Sequence, residues 1–168
     1  MQDPRTTILT AALLLSSVVG PAAAGNDGGD LAGPLRSAAD ELGTAASRSA
    51  DPMKPLTEVV GLLSQVAERA RLATDVRSKI EAAAAGLRKD GWSAEPSAVG
   101  QLNEVYATLN GGRRFSFPAG VGDADGARVA YQREIDRAVA ALRQGRPGAA
   151  AKPILESLML VTTRMEAH

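Results

Sequence analysis

The sequence predicts an all-α protein, an antiparallel helical bundle of four to five helices with one long central helix at about 56–89. Three observations carry that prediction. Leu56, Val59, Leu63, Val66, Ala70, Ala73, Ile80, Ala84 and Leu87 recur at helical steps of three and four, which draws one apolar stripe along a helix. Aromatic residues make up only 3% of the chain while alanine is abundant, a composition that suits helices packed through small side chains and not a β-sandwich or barrel. Clusters of Gly, Pro and Asn fall between the apolar-periodic segments and divide them. A 56–89 helix would be roughly 50 Å long. It cannot bury its own stripe, so the other segments must supply the facing surfaces.

Length and composition narrow the function classes. A chain of 168 residues holds one ordinary domain with a real core. Nineteen basic residues balance nineteen acidic ones, so no overall field draws the protein to nucleic acid or to an anionic membrane. Cysteine is absent and the single histidine is His168, the last residue. Thiol nucleophiles, disulfides and thiolate metal sites are thereby excluded, and so is a Ser-His-Asp triad unless the terminus supplies the base. The expectation is a protein that is not an enzyme and has no metal site.

Residues 1–24 read as a secretory signal peptide. Arg5 and the amino terminus outweigh Asp3, an apolar run covers 8–19, Gly20 and Pro21 break it, and Ala22, Ala23 and Ala24 offer a cleavage site before Gly25. That run is too short to span a bilayer comfortably. The mature protein is therefore expected in the periplasm or secreted, with no membrane span after cleavage. Residues 25–30 form a polar, Gly-rich lead-in expected to be disordered, and 31–168 a single helical-bundle domain.

The first helix is predicted at about 31–48 on Leu31, Leu35, Ala38, Leu42 and Ala45, with Asp30 as its cap and Pro34 in its first turn. Asp51, Pro52 and Pro55 stop it and open the long helix. On the solvated face of that helix Arg71 and Asp75, Asp75 and Lys79, and Arg77 and Glu81 stand four apart, while Arg77 also falls on the apolar stripe and must run its stem along the core to reach water. At the far end Arg88 and Lys89 suit the helix dipole, Gly91 is placed for a left-handed C′ conformation, and Trp92 would then pack on Leu87.

A shorter helix is predicted from Pro96 to Leu109, ending at Asn110, Gly111 and Gly112. The irregular stretch 111–122 follows, holding Arg113, Arg114, Phe115 and Phe117. Arginines and aromatics gathered on a loop suit a binding surface, and together with Trp92 they are the candidate binding residues. An aromatic-poor core also has use for Phe115 and Phe117 as inward plugs, with both arginines in water. Asp123 and Asp125 echo a calcium loop, but Val121 and Gln132 stand where its first and last ligands belong, so the acids read as a helix start. A helix to Gln144 then buries Tyr131, Ile135, Ala138, Val139 and Leu142. A tight turn at 145–148 leads to the last helix, which carries Ile154, Leu155, Leu158, Met159, Val161, Thr162 and Met165 on one face and Pro153 near its start.

Thr162, Thr163 and Arg164 followed by His168, with Ile135, Asp136 and Gly145 before them, resemble the C-terminal hairpin of small periplasmic b-type four-helix-bundle cytochromes. Asp30, Leu31, Asp40 and Leu42 resemble the first helix of that family. The resemblance implies a bundle fold and haem b held between a Met of the first helix and a His near the end of the last. His168 matches the His position, whereas Leu35 stands at the Met position and cannot ligate iron, so the resemblance requires another second ligand, such as Met53, Met159 or Met165. Two functional expectations result: an exported, non-catalytic bundle that binds or scaffolds a protein or small ligand, and a haem b-binding electron carrier or haem-handling protein of the periplasm.

Overall fold

The computed structural model describes residues 28–48, 50–116 and 124–166, with backbone alone for 124 and 164–166. The expected signal peptide, Phe117 and His168 lie outside the described residues. Six α-helices account for nearly all of what is described: α1 Gly29–Ser47, α2 Met53–Arg69, α3 Thr74–Asp90, α4 Glu95–Leu109, α5 Ala124–Arg143 and α6 Pro147–Glu166. No strand occurs among the described residues, and none of their helices is long and apolar enough to cross a membrane.

The long central helix is corrected to two. α2 closes with a full set of C-terminal turn bonds: the Leu72 N–H reaches the Ala67 carbonyl at 3.1 Å and the Arg71 N–H the Glu68 carbonyl at 3.1 Å. That motif places Arg71 in the left-handed region, at φ 55°. Ala73 is extended (ψ 146°) and starts α3, accepting from the Arg77 N–H at 3.0 Å. The apolar stripe survives the break. Leu56, Val59, Leu63 and Val66 are buried on α2 and Ile80, Ala84 and Leu87 on α3, while Ala70 and Ala73 belong to the turn and are not buried.

The helix ends fall close to the predicted ones. α1 begins at Gly29, so Asp30 lies in its first turn and is not its cap, and Pro34 sits in the second turn beside Gly33 on an exposed face. At the start of α2 the Asp51 carboxylate accepts from the Met53 N–H at 3.0 Å. Pro153 lies inside α6, where its missing N–H would have met the carbonyl of Ala149, an exposed residue.

Contacts order the helices into two sets of four that share α2 and α6. In one, α1 packs on α2 and α5, and α5 on α6; in the other, α3 packs on α2 and α4, and α4 on α6. α2 also packs directly on α6, so the core runs continuously through both sets. Leu35, Leu42, Leu56, Leu63, Ile80, Leu102, Ile135, Leu142, Ile154, Leu155 and Leu158 are fully buried in it. Each such side chain contributes about 1.5–3 kcal/mol. The buried hydroxyls of α6 are satisfied within the helix, Ser157 donating to the Ile154 carbonyl at 2.7 Å and Thr162 to that of Leu158 at 2.8 Å.

Ion pairs cross between helices where the sequence suggested pairs along one. Lys79, expected beside Asp75, lies 3.7 Å from Glu104 of α4. Arg36 of α1 reaches Asp136 of α5 at 2.6 Å, and Arg69 of α2 grips both oxygens of Asp30 of α1 at 2.7 and 2.8 Å. Arg77 is half-buried as its place on the stripe requires, with Nη2 at 3.5 Å from the Thr74 hydroxyl and a buried Nε that meets no acceptor.

Candidate functional site

The most structured polar assembly lies where the end of α4 meets α5 and α6. α4 ends on a two-glycine turn, with Gly111 and Gly112 both at positive φ (66° and 88°), a geometry open to glycine at little steric cost. The Gly112 N–H returns to the Ala107 carbonyl at 2.7 Å, and Asn110 holds the next residue by donating its side-chain amide to the Arg113 carbonyl at 3.3 Å. The loop is thus tied back onto the helix it leaves.

Phe115 completes the anchorage. Its ring meets Tyr106 of α4 edge to face, with centroids 5.7 Å apart and planes at 77°, and it packs half-buried against the core. Arg113 and Arg114 stay exposed on the same loop. Of the two uses the sequence left open for these residues, Phe115 faces the protein and the arginines face water; Phe117 lies outside the described residues.

Beneath Phe115, the Tyr106 hydroxyl donates to Glu156 Oε1 of α6 at 3.2 Å. Glu134 of α5 lies near enough for its charge to act on Glu156. Glu134 is only 5% exposed. Arg137 Nη1 lies 3.3 and 3.2 Å from its two oxygens, and Arg133 Nε is 3.6 Å from one of them. Burial, then the charge of Glu134, pushes the Glu156 carboxyl above the usual glutamate range. Burial, then the charge of Glu156, pushes the Tyr106 phenol up to about 12. Chemically the arrangement is two carboxyls that act on one another by charge, Glu156 capped by a tyrosine and Glu134 compensated by arginine.

Sequence reading singled out neither Glu134 nor Glu156, which stand 22 residues apart on different helices. One signal was present: Glu134 stands four residues after Ala130 and four before Ala138, both buried, and so falls on the apolar side of α5.

Trp92 does not join the loop. Gly91 takes positive φ as expected (53°), but with ψ −125° it leads into a single 3-10 turn, Gly91–Ser93, closed by the Ala94 N–H on the Gly91 carbonyl at 3.0 Å. The turn carries Trp92 outward, and it is 50% exposed where the sequence had it sealing Leu87. It also precedes α4, whereas Arg113 follows it, and the helix between them is 15 residues, about 22 Å, long.

For the haem expectation, Leu35 is fully buried in the core of α1, Met159 is 1% exposed among the core side chains of α6, and Met53 is half-buried with its sulfur 3.6 Å from the Thr57 hydroxyl. Met165 and His168 have no described side chain. Among the described residues no group of three His, Cys, Asp or Glu side chains comes together as a metal site. On the outer face of α5 an open hollow is lined by Val129, Gln132, Arg133, Asp136, Arg137 and Ala140, residues of one helix only.

No protein-family model, no curated protein and no solved structure matches the chain.

Proposed function

We propose that this is an exported protein whose helices pack antiparallel as one bundle, and that it acts by binding, not by catalysis, taking an acidic partner through the loop 110–116. One observation carries the reading: Arg113 and Arg114 stand exposed on a loop fixed at both sides, by Asn110 on the Arg113 carbonyl and by Phe115 on Tyr106. A loop already ordered before contact loses little further entropy on binding, and adjacent guanidiniums present planar forks that suit carboxylates. Export is read from the charged start, the apolar run 8–19 and the small residues at 22–24.

The test uses an oligoglutamate peptide as probe and the R113A/R114A variant as control. Wild-type protein should bind the peptide with a strong salt dependence, and the double variant should bind about tenfold or more weakly. Equal binding by the two proteins would sink the loop as the recognition surface. Export is checked separately by the amino terminus of the protein recovered from its host's envelope or medium, which should begin at Gly25.

A further inference from the structure

We propose that the surface taking the acidic partner continues from the loop 110–116 over the start of α6 to the turn between α2 and α3, and that it fits an extended acidic polypeptide segment. The inference rests on the acidic-partner reading above and adds four cations to it: Lys152, Arg146, Arg143 and Arg71.

One column of α6 lays out the path. Gly148, Lys152 and Glu156 follow at steps of four, on one side of the helix. At one end of the column Glu156 accepts from Tyr106, three residues before the end of α4 and in contact with Phe115. At the other end a Cβ placed on Gly148 would stand 4.0 Å from that of Ala70, the residue before Arg71. Lys152 stands exposed midway. The column is about 12 Å long, and an extended chain covers that length in about four residues. Arg143 and Arg146, both exposed, bracket the turn that opens α6. That turn is closed by the Gly145 N–H on the Leu142 carbonyl at 3.0 Å and the Arg146 N–H on the Ala141 carbonyl at 2.9 Å. Like the loop, these supports are ordered before any partner arrives.

Arg71 is a separate observation pointing the same way. It fills the left-handed position that ends α2, where glycine would carry no strain, at φ 55°. Its side chain is exposed and meets no hydrogen-bond or ion-pair partner among the described residues. The strain thus has no local compensation, and strained positions of this kind gather at binding sites. Arg113, Arg114 and Arg143 likewise form no ion pair with a described residue, and Arg146 reaches only its neighbour Gln144. Of the acids around the turn, Asp30 is gripped by Arg69, which leaves Glu68 and Asp75 exposed.

Guanidinium forks suit carboxylates and phosphates alike, and the aromatic rings decide between them. Nucleic-acid bases need ring faces on which to stack. Tyr106 is buried, Phe115 stands across it edge to face, and Trp92 lies at the opposite end of α4. Cations spaced along a short path, without a stacking platform, fit a run of carboxylate side chains.

The experiment measures binding of a labelled twelve-residue oligoglutamate to the full chain by fluorescence anisotropy. R71G, R143A and K152A should each weaken binding about two- to threefold, and the triple variant about tenfold. K152E should weaken it more than K152A. R71G is the sharpest arm, because relief of the left-handed strain should raise its urea midpoint while its affinity falls, so the loss cannot be ascribed to unfolding. A triple variant that binds like wild type overturns the proposal; if R113A/R114A is weak in the same assay, the loop reading stands alone. If the triple variant is weak and R113A/R114A binds like wild type, the start of α6 is the site and the loop reading falls. A twelve-residue oligothymidylate bound as tightly as the peptide, or more tightly, overturns the assignment to a polypeptide.

Discussion

The hydroxyl of Tyr131 on α5 donates to the backbone carbonyl of Ala39 on α1 at 2.7 Å, in the buried contact between the two helices. Ala39 lies mid-helix, so its carbonyl also serves the N–H of Gly43 one turn on. Gly43 is where the ring rests: a Cβ there would come within 3.1 Å of Tyr131 Cε2. The bond and the missing side chain are two halves of one fit, which yields a coupled prediction. Y131F should cost about 1 kcal/mol in urea unfolding, the usual worth of such a bond. G43A would gain up to about 1 kcal/mol from helix propensity on an open surface. Here the ring is pinned by its hydroxyl, so G43A should destabilise the wild type, yet be neutral or stabilising in Y131F, where the ring is free to shift. A double-mutant cycle should show about 0.5–1 kcal/mol of coupling, and strict additivity would refute the fit.

Arg71 gives a prediction of opposite sign. An L-residue in the left-handed region costs roughly 1 kcal/mol relative to glycine, and Arg71 is exposed, so its side chain offsets little of that. R71G should raise the urea midpoint, stabilising by about 0.5–1 kcal/mol. R71V, β-branched at the same φ, should lower it. Were 53–90 a single rod in solution, R71G would place a glycine mid-helix and destabilise instead, so the sign of this one substitution reports the break.

That break also shows where the sequence is legible and where it is not. Four of the predicted helices survive as α1, α4, α5 and α6, with ends moved by a residue or two, because their stops are chemical: Pro52, Gly111, Gly112 and Gly145. The turn at 70–73 has no such marker. Ala70 and Ala73 keep the stripe in register, and the left-handed position that ends α2 is filled by Arg, not by Gly or Asn. The helix stops because α3 folds back to bury Val76, Ile80 and Leu87 against α2 and α4, a tertiary gain that no local signal encodes. The site divides in the same way. Arg113, Arg114 and Phe115 stand out as a composition change in one loop, whereas Tyr106, Glu134 and Glu156 are 28 and 22 residues apart in sequence and meet only once three helices have packed.

Stability should depend on pH through carboxyls of two kinds with opposite signs. Arg69 and Arg36, by hydrogen bonding, hold Asp30 and Asp136 below the usual aspartate range. The stability those groups contribute is present above the unfolded aspartate value and is lost as pH falls through their folded ones. Glu156, raised by burial and by the charge of Glu134, works the other way: its contribution is complete below the unfolded glutamate value and is lost as pH rises through the folded one. Urea midpoints taken from pH 3 to pH 8 should therefore rise to a maximum on the acid side of neutrality and then decline. E156Q should remove the decline and leave the acid limb unchanged. A decline that persists in E156Q would assign it to another group.

Two arginines of α5 form a matched pair for measuring what burial does to a salt bridge. Arg128 lies 3.2 Å from Asp125 and Arg137 lies 3.2 Å from Glu134, each three residues after its acid on the same helix. The arginines are equally open, at 64% and 63%, but the acids differ, Asp125 being 87% exposed and Glu134 6%. Removing Arg128 returns Asp125 to water, so R128M should change stability by less than about 0.5 kcal/mol. Removing Arg137 leaves a carboxylate that water hardly reaches, with Arg133 at 3.6 Å as its remaining cation and Glu156 as a neighbour of the same sign. R137M should therefore cost about 1–2 kcal/mol. The double variant E134L/R137M should recover most of that loss, because the charge that needed compensation is gone and an apolar side chain takes its place on the buried side of α5. Equal costs for R128M and R137M would mean that water reaches Glu134 more freely than its packing allows.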